Sequence, residues 1–351
     1  MKKIFIQAYL KKNLGDDLFL KILLERYKKE KFQIIGPKEY KEIMPSNLKV
    51  IKNKKIINKM LNILTNNKIS LKKIYSNKSD ITVIIGGSMF IQSSNFYKRN
   101  DHYGKNYFII GSNFGPYKSQ EFYDKYYNIF KDAKDVCFRE KYSYELFKKL
   151  KNIRYAPDVI FSLDTNNIEI KENKKVVISI IDCERKIGKE YQEIYDKKII
   201  EIMRWFIKRN YTICLMSYCK EEGDEDAINR IIQKLDTHNK RKIETYFYNG
   251  NIPEALKIMA NCEVIVGSRF HSNILGLLLK KTIIPIAYSD KMINILKDID
   301  YKGKVIDIRK MQDFNIEELT DEDITYKKDV SDIVKKAEQQ FKELDKEIGR
   351  I

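Results

Sequence analysis

Short, continuously apolar runs punctuate the chain at Ile4–Ala8, Ile81–Ile85, Tyr107–Ile110, Val136–Phe138, Val176–Ile181, Thr212–Met216, Glu263–Val266 and Thr282–Ala287. They end in glycine or polar residues. Continuous rather than alternating apolar character marks strands buried on both faces, and hence parallel sheets covered by helices. Amphipathic spacing predicts helices over Asp17–Glu30, Glu190–Arg209, Asp224–Leu235 and Val330–Ile348. From Asp164 through Glu172 to Lys175 the chain turns polar, and a second strand–helix alternation then begins.

This pattern predicts an α/β protein of two Rossmann-like, doubly wound domains facing a cleft. Residues 1–165 form the first domain and 175–325 the second, with a C-terminal helix over 326–351 bracing the first. In such sheets ligands bind beyond the carboxyl ends of the strands. A length of 351 residues agrees with two cores, and 43% hydrophobic residues suffice to build them.

No apolar run approaches the roughly 18 residues of a membrane span. Lys11, Lys12 and Asp16 interrupt any secretory leader, so a cytoplasmic location is expected. The five cysteines lack Cys-x-x-Cys spacing and read as reduced core thiols; no metal site is expected. The formal charge of +18 is carried by lysines that read mostly as solvated helix backs. It favours anionic small molecules and peripheral contact with an anionic membrane face, and no nucleic-acid-binding module accompanies it.

The candidate chemistry sits at strand ends. Gly267-Ser268-Arg269-Phe270-His271 follows an apolar strand and opens a helix. Ser268 is the expected N-cap, with Arg269 and His271 in a first turn whose N–H groups and partial positive charge suit an anion. A helix start with a solvated Arg and a hydrogen-bonded His is the plainer alternative. In Asn13-Leu14-Gly15-Asp16-Asp17, Asp16 or Asp17 is either a helix cap or a carboxylate offered to a hydroxyl. Gly86-Gly87-Ser88 permits close backbone approach or merely a tight turn, and lacks dinucleotide and P-loop spacing. Ser112 and Asn113, in Gly111–Pro116, either point into the mouth of the sheet or form a polar turn. Arg139 faces a cleft or makes a surface salt bridge, and Asp158 orients a loop or pairs with Arg139. Lys291 follows the strand after His271's, which brings it towards the same helix mouth.

Together these segments, with Ala156-Pro157-Asp158 and Tyr288, resemble the polysaccharide pyruvyl transferase family over residues 10 to about 295. The resemblance implies a glycosyltransferase-B-like fold and transfer of pyruvate from phosphoenolpyruvate to a sugar, giving a ketal. It implies no cofactor beyond that donor substrate, and an acceptor sugar either free or on a lipid-linked oligosaccharide. Arg269 and His271 match the family's Arg-x-His donor motif, Lys291 its downstream lysine, and Arg139 an arginine of the first domain, the acceptor side. Under this reading Asn13, Gly86, Gly87, Ser88, Ser112, Asn113 and Ser268 line the substrates, His271 is the acid, and Asp16 or Asp17 accepts the hydroxyl proton. Two rivals stand beside it: a nucleotide-sugar-dependent glycosyltransferase, and a non-catalytic polyanion-binding protein.

Overall fold

The computed structural model describes every residue except 54, 55, 57–59, 61, 62, 66–68, 99, 100, 102, 172, 237–239 and 351. Glu172 of the polar stretch thus lies outside the described residues. The first sheet contains β1 (Lys3–Gln7), β2 (Lys31–Gly36), β3 (Leu48–Lys52), β4 (Ile81–Ile85), β5 (Tyr107–Ser112), β6 (Asp135–Phe138) and β7 (Ile153–Tyr155). The second contains β8 (Lys175–Ser179), β9 (Thr212–Ser217), β10 (Ile243–Phe247), β11 (Val264–Gly267), β12 (Thr282–Ala287) and β13 (Ile306–Asp307). Their orders are β3-β2-β1-β4-β5-β6-β7 and β10-β9-β8-β11-β12-β13. All pairings between these strands are parallel. Each order steps outward from its first strand, then jumps back and steps out on the other side. The reversal falls between β1 and β4 in one sheet and between β8 and β11 in the other, where doubly wound sheets bind ligands.

The chain forms two units, one of residues 1–10, 18–162 and 334–351, the other of 11–17 and 163–333. Residues 11–17, which the sequence reading keeps in the first domain, group with the second. They are bonded to the loops after β9 and β10. The Leu14 N–H donates to the Tyr218 carbonyl (3.1 Å), and the Tyr248 hydroxyl donates to Asp17 Oδ2 (2.8 Å).

The first unit's core gathers aromatic rings beneath the Gln120–Asp132 helix. Phe114, directly after Asn113, packs its ring 4.9 Å from Phe147 and 5.4 Å from Phe122. Burial of one such ring is worth about 3–5 kcal/mol by truncation, so Phe114 anchors the loop carrying Ser112 and Asn113.

The helix expected over Val330–Ile348 is broken. It runs as Ser331–Ala337, a 3-10 turn at Glu338–Phe341, and Lys342–Ile348. The tighter turn brings consecutive side chains, Gln340 and Phe341, fully inside (0% exposed), which an amphipathic helix lying on a surface does not do. Asp345 then anchors the last helix to the first unit, accepting from Arg26 Nε (3.0 Å) and the Tyr27 hydroxyl (2.9 Å).

Candidate functional site

In the second unit the chemistry collects at the β8/β11 reversal. The Phe270–Leu278 helix begins one residue later than expected: Arg269 occupies the N-cap position and no side chain caps it. Ser268 is therefore not the cap. Its hydroxyl lies 2.9 Å from the Tyr195 hydroxyl, and its N–H donates to the Ser179 carbonyl. Ser179, last residue of β8, accepts the Arg269 N–H through Oγ (3.0 Å), and that hydroxyl lies 2.7 Å from Ser272 Oγ. Neighbouring strands thus lock the turn before His271 through buried hydroxyls.

Arg269 is buried rather than solvated (6% exposed), with carboxylates against its guanidinium. Nε donates to Asp224 Oδ2 (2.9 Å), Nη2 donates to Asp224 Oδ1, and Nη1 donates to Glu222. Asp224 also accepts the N–H groups of Tyr218 (2.8 Å) and Cys219 (2.9 Å). Glu222 further accepts from Lys186 Nζ and from Asn13 Nδ2 (3.3 Å). Burial pushes the Glu222 carboxyl up, but Arg269 and Lys186 overcome it and hold the group at about 2. Burial likewise disfavours the Arg269 charge, yet Asp224 and Glu222 raise its pKa well above the ordinary value. Two carboxylates and two cations therefore balance one another here. Sequence reasoning missed Glu222 and Asp224; the only signal was a run of five acids, Glu221, Glu222, Asp224, Glu225 and Asp226, after β9.

The Asn13–Asp17 motif belongs to this same cluster. The helix starts at Leu14, so Asn13 is the residue whose side chain accepts a first-turn N–H, that of Gly15 (3.1 Å). Asp17 is buried and bonded to Tyr248, whereas Asp16 is half-buried. Gly15 meets His271: a Cβ built on it would lie 1.7 Å from Nδ1. The glycine exists to admit the imidazole. His271 is half-buried, its ring 5.0 Å from that of Phe270, and Lys291 Nζ sits 5.7 Å from the Phe270 ring centre. Adjacency of β11 and β12 brings Lys291 there.

In the first unit a second cluster forms at the carboxyl ends of β4, β5 and β6. Arg139 is wholly buried, not at the surface. Nη1 donates to Asp158 Oδ2 (2.7 Å) and Nη2 to Asn113 Oδ1 (3.1 Å). Ser112 Oγ donates to the Gly86 carbonyl (2.7 Å), and the Asn113 N–H donates to the Gly87 carbonyl (2.8 Å). A Cβ on Gly87 would lie 2.4 Å from Arg139 Nη2, so this glycine too clears space for a cation. Ser88 is exposed beside this cluster.

One further residue binds these segments, and sequence reading passed over it. Gln340 Nε2 donates to the carbonyls of Phe138 (3.3 Å), Ala156 (2.8 Å) and Pro157 (3.0 Å), and Oε1 accepts the Gly111 N–H (2.9 Å). It thereby holds the residues immediately before Ser112, Arg139 and Asp158. A single glutamine inside a polar helical pattern carries no sequence signal for this.

The five cysteines are buried and unpaired, and burial raises each thiol to about 12. Among the described residues no three His, Cys, Asp or Glu side chains group as metal ligands, and no helix is long and apolar enough to cross a membrane.

Two doubly wound parallel sheets define an α/β protein of glycosyltransferase-B-like fold. Solved structures share it over nearly the whole chain. UDP-GlcNAc 2-epimerase from Neisseria meningitidis, bound to UDP-GlcNAc, matches 99% of this chain and 100% of its own with a TM-score of 0.57 at 10% identity. Alr3699/HepE of Anabaena, in complex with UDP and glucose, matches 100% and 98% with a TM-score of 0.52 at 10% identity. The particular family follows from the sequence: the chain belongs to the polysaccharide pyruvyl transferases, whose family model matches residues 13–290. It is 20% identical over 273 residues to the amylovoran biosynthesis protein AmsJ of Erwinia amylovora, covering 68% of this chain and 63% of AmsJ. The chain thus spans less than two thirds of that relative's length.

Proposed function

We propose that the protein transfers the enolpyruvyl group of phosphoenolpyruvate to a sugar acceptor of a cell-surface polysaccharide and closes it as a pyruvate ketal. The observation that carries this reading is His271, seated on Gly15 at the start of the Phe270–Leu278 helix with Lys291 beside Phe270. Ketal formation begins with a proton on the donor's methylene carbon, and His271 is the acid that supplies it. The adjacent carbon becomes cationic, a sugar hydroxyl attacks it, and that hydroxyl's proton passes to a base. A second hydroxyl then forms the second C–O bond as the C–O bond to phosphate breaks, its proton leaving with the phosphate. Asp16 is assigned the base role over Asp17, since Asp17 is buried and accepts from Tyr248.

Lys291 neutralises the donor's charge together with the partial charge of the helix terminus. Arg269, matched to the family's donor motif, has its guanidinium against Asp224 and Glu222, so an anion reaching it competes with Glu222. Its first contribution is to hold the turn that presents His271. Arg139 serves the acceptor side in the same manner, fixing Asn113.

Phosphate release from phosphoenolpyruvate with candidate glycans tests the reading. His271→Ala is expected to lose about 10²–10⁴-fold, the usual worth of a general acid. Activity within about tenfold of the parent overturns the acid assignment. Saturation-transfer NMR with phosphoenolpyruvate and with nucleotide sugars, side by side, separates pyruvyl transfer from glycosyl transfer.

A further inference from the structure

Beside the Arg139–Asn113 cluster of the first unit, tyrosine rings form a row. Tyr117, Tyr123 and Tyr127 are half-buried; successive ring centres lie 6.1 and 6.0 Å apart, with planes inclined by 33° and 34°. Tyr142 is 49% exposed and stands beside Tyr117: burial raises the pKa of its hydroxyl, and Tyr117 adds to the rise. The row is held from below. The Tyr117 ring packs 5.0 Å from that of Phe114, and Tyr123 stacks on Phe147 at 5.0 Å and 11°. The Tyr123 hydroxyl donates to the Leu146 carbonyl (2.9 Å). One end of the row touches the cluster, since Phe114 directly follows Asn113 and Tyr142 lies three residues after Arg139. From there the Gln120–Asp132 helix carries Tyr123 and Tyr127, one turn apart on one face, from the end of β5 back towards the start of β6.

We propose that this row binds the acceptor glycan beyond the sugar that is modified, its rings stacking against the apolar faces of successive sugars. Rings fixed by the core offer rigid, amphipathic contact area at little entropic cost, and a contiguous exposed patch of them marks a binding surface. Charge selects the occupant. Between Tyr117 and Asp132 three lysines accompany three acids, so within a chain of +18 this segment is neutral. Single-stranded nucleic acid also stacks on aromatic rings, but it needs a positively charged groove along them, and an anionic membrane needs the same excess of lysine. A saccharide needs neither: its C–H faces meet the rings and its hydroxyls meet those of the tyrosines. The inference rests on the sugar acceptor of the proposed function, and not on phosphoenolpyruvate or on the roles of His271 and Arg269.

The test is calorimetric titration of the full-length protein, without donor, with hexasaccharides and with disaccharides. Both are prepared by hydrolysis of the cell-surface polysaccharide of the organism that makes the protein. The parent is expected to bind the hexasaccharides at least about tenfold more tightly. Tyr127→Ala/Tyr142→Ala should abolish that preference while leaving disaccharide affinity within about twofold, and Tyr127→Phe/Tyr142→Phe, which keeps the rings, should retain it. Circular dichroism and thermal melting establish that both variants are folded. The proposal is overturned if the parent shows no preference for the longer chain, or if the alanine variant keeps it. It is also overturned if the row prefers oligothymidylate to the hexasaccharides, or if light scattering shows a dimer that the alanine variant splits. Phosphate release from phosphoenolpyruvate is read separately: length preference without release fails only the donor assignment, and release without length preference fails only this inference.

Discussion

Gly15 offers the sharpest test, because two effects of one methyl group there have opposite signs. Replacing glycine by alanine inside a helix ordinarily stabilises by up to about 1 kcal/mol. At Gly15 the new Cβ would stand 1.7 Å from His271 Nδ1, whereas ordinary contact begins at 3.4 Å, so the imidazole must retreat by at least 1.7 Å. The ring is half-buried, and it can swing away without unfolding the helix that carries it. Misplacement of a reacting group by about 1 Å can cost 10²-fold in rate. Gly15→Ala is therefore expected to melt within a few degrees of the parent while losing at least about 100-fold in phosphate release from phosphoenolpyruvate. Imidazole ¹⁵N–¹H spectra should report the displacement directly, by a shift of the His271 resonances. Activity within about threefold of the parent, with unshifted His271 signals, would refute the argument that Gly15 is there to seat the acid.

Three further outcomes follow from buried polar groups. Asp158→Asn takes away the carboxylate against Arg139 in a pair whose side chains are 1% and 0% exposed. Urea unfolding should register a loss of about 3–5 kcal/mol, and a loss below 1 would count against the pair. Gln340→Leu strips the amide from Gly111, Phe138, Ala156 and Pro157, and should cost at least about 2 kcal/mol in the same assay. A variant as stable as the parent would show that water replaces the amide. The folded-state pKa of Glu222, about 2, lies below its ordinary 4.5, so its contribution is full above pH 4.5 and is lost as pH falls towards 2. The difference amounts to on the order of 3 kcal/mol at most, and Glu222→Gln should flatten that acid limb of the stability curve. An unchanged limb would reject the assignment.

The amino-acid sequence by itself determined the two-sheet α/β architecture and the strands at the centre of each sheet. β1, β4, β5, β6, β8, β9, β11 and β12 are apolar over successive residues because both faces are covered, and that makes them visible. Invisible were β2, β3, β7, β10 and β13, at or next to the sheet edges, where many residues are only partly buried and Lys49, Glu244 and Thr245 are tolerated. The same holds at the sites. Gly15, His271, Gly87 and Arg139 were legible as motif members, but not that each glycine makes room for a particular side chain 52 or more positions away in the chain. Only the tertiary structure decided that Arg269 meets Asp224 and Glu222, that residues 11–17 join the second unit, and that Gln340 ties three strand ends together. Those partners are set by where parallel strands terminate in space, and periodicity along a chain records which face a residue takes, not which distant residue it will meet.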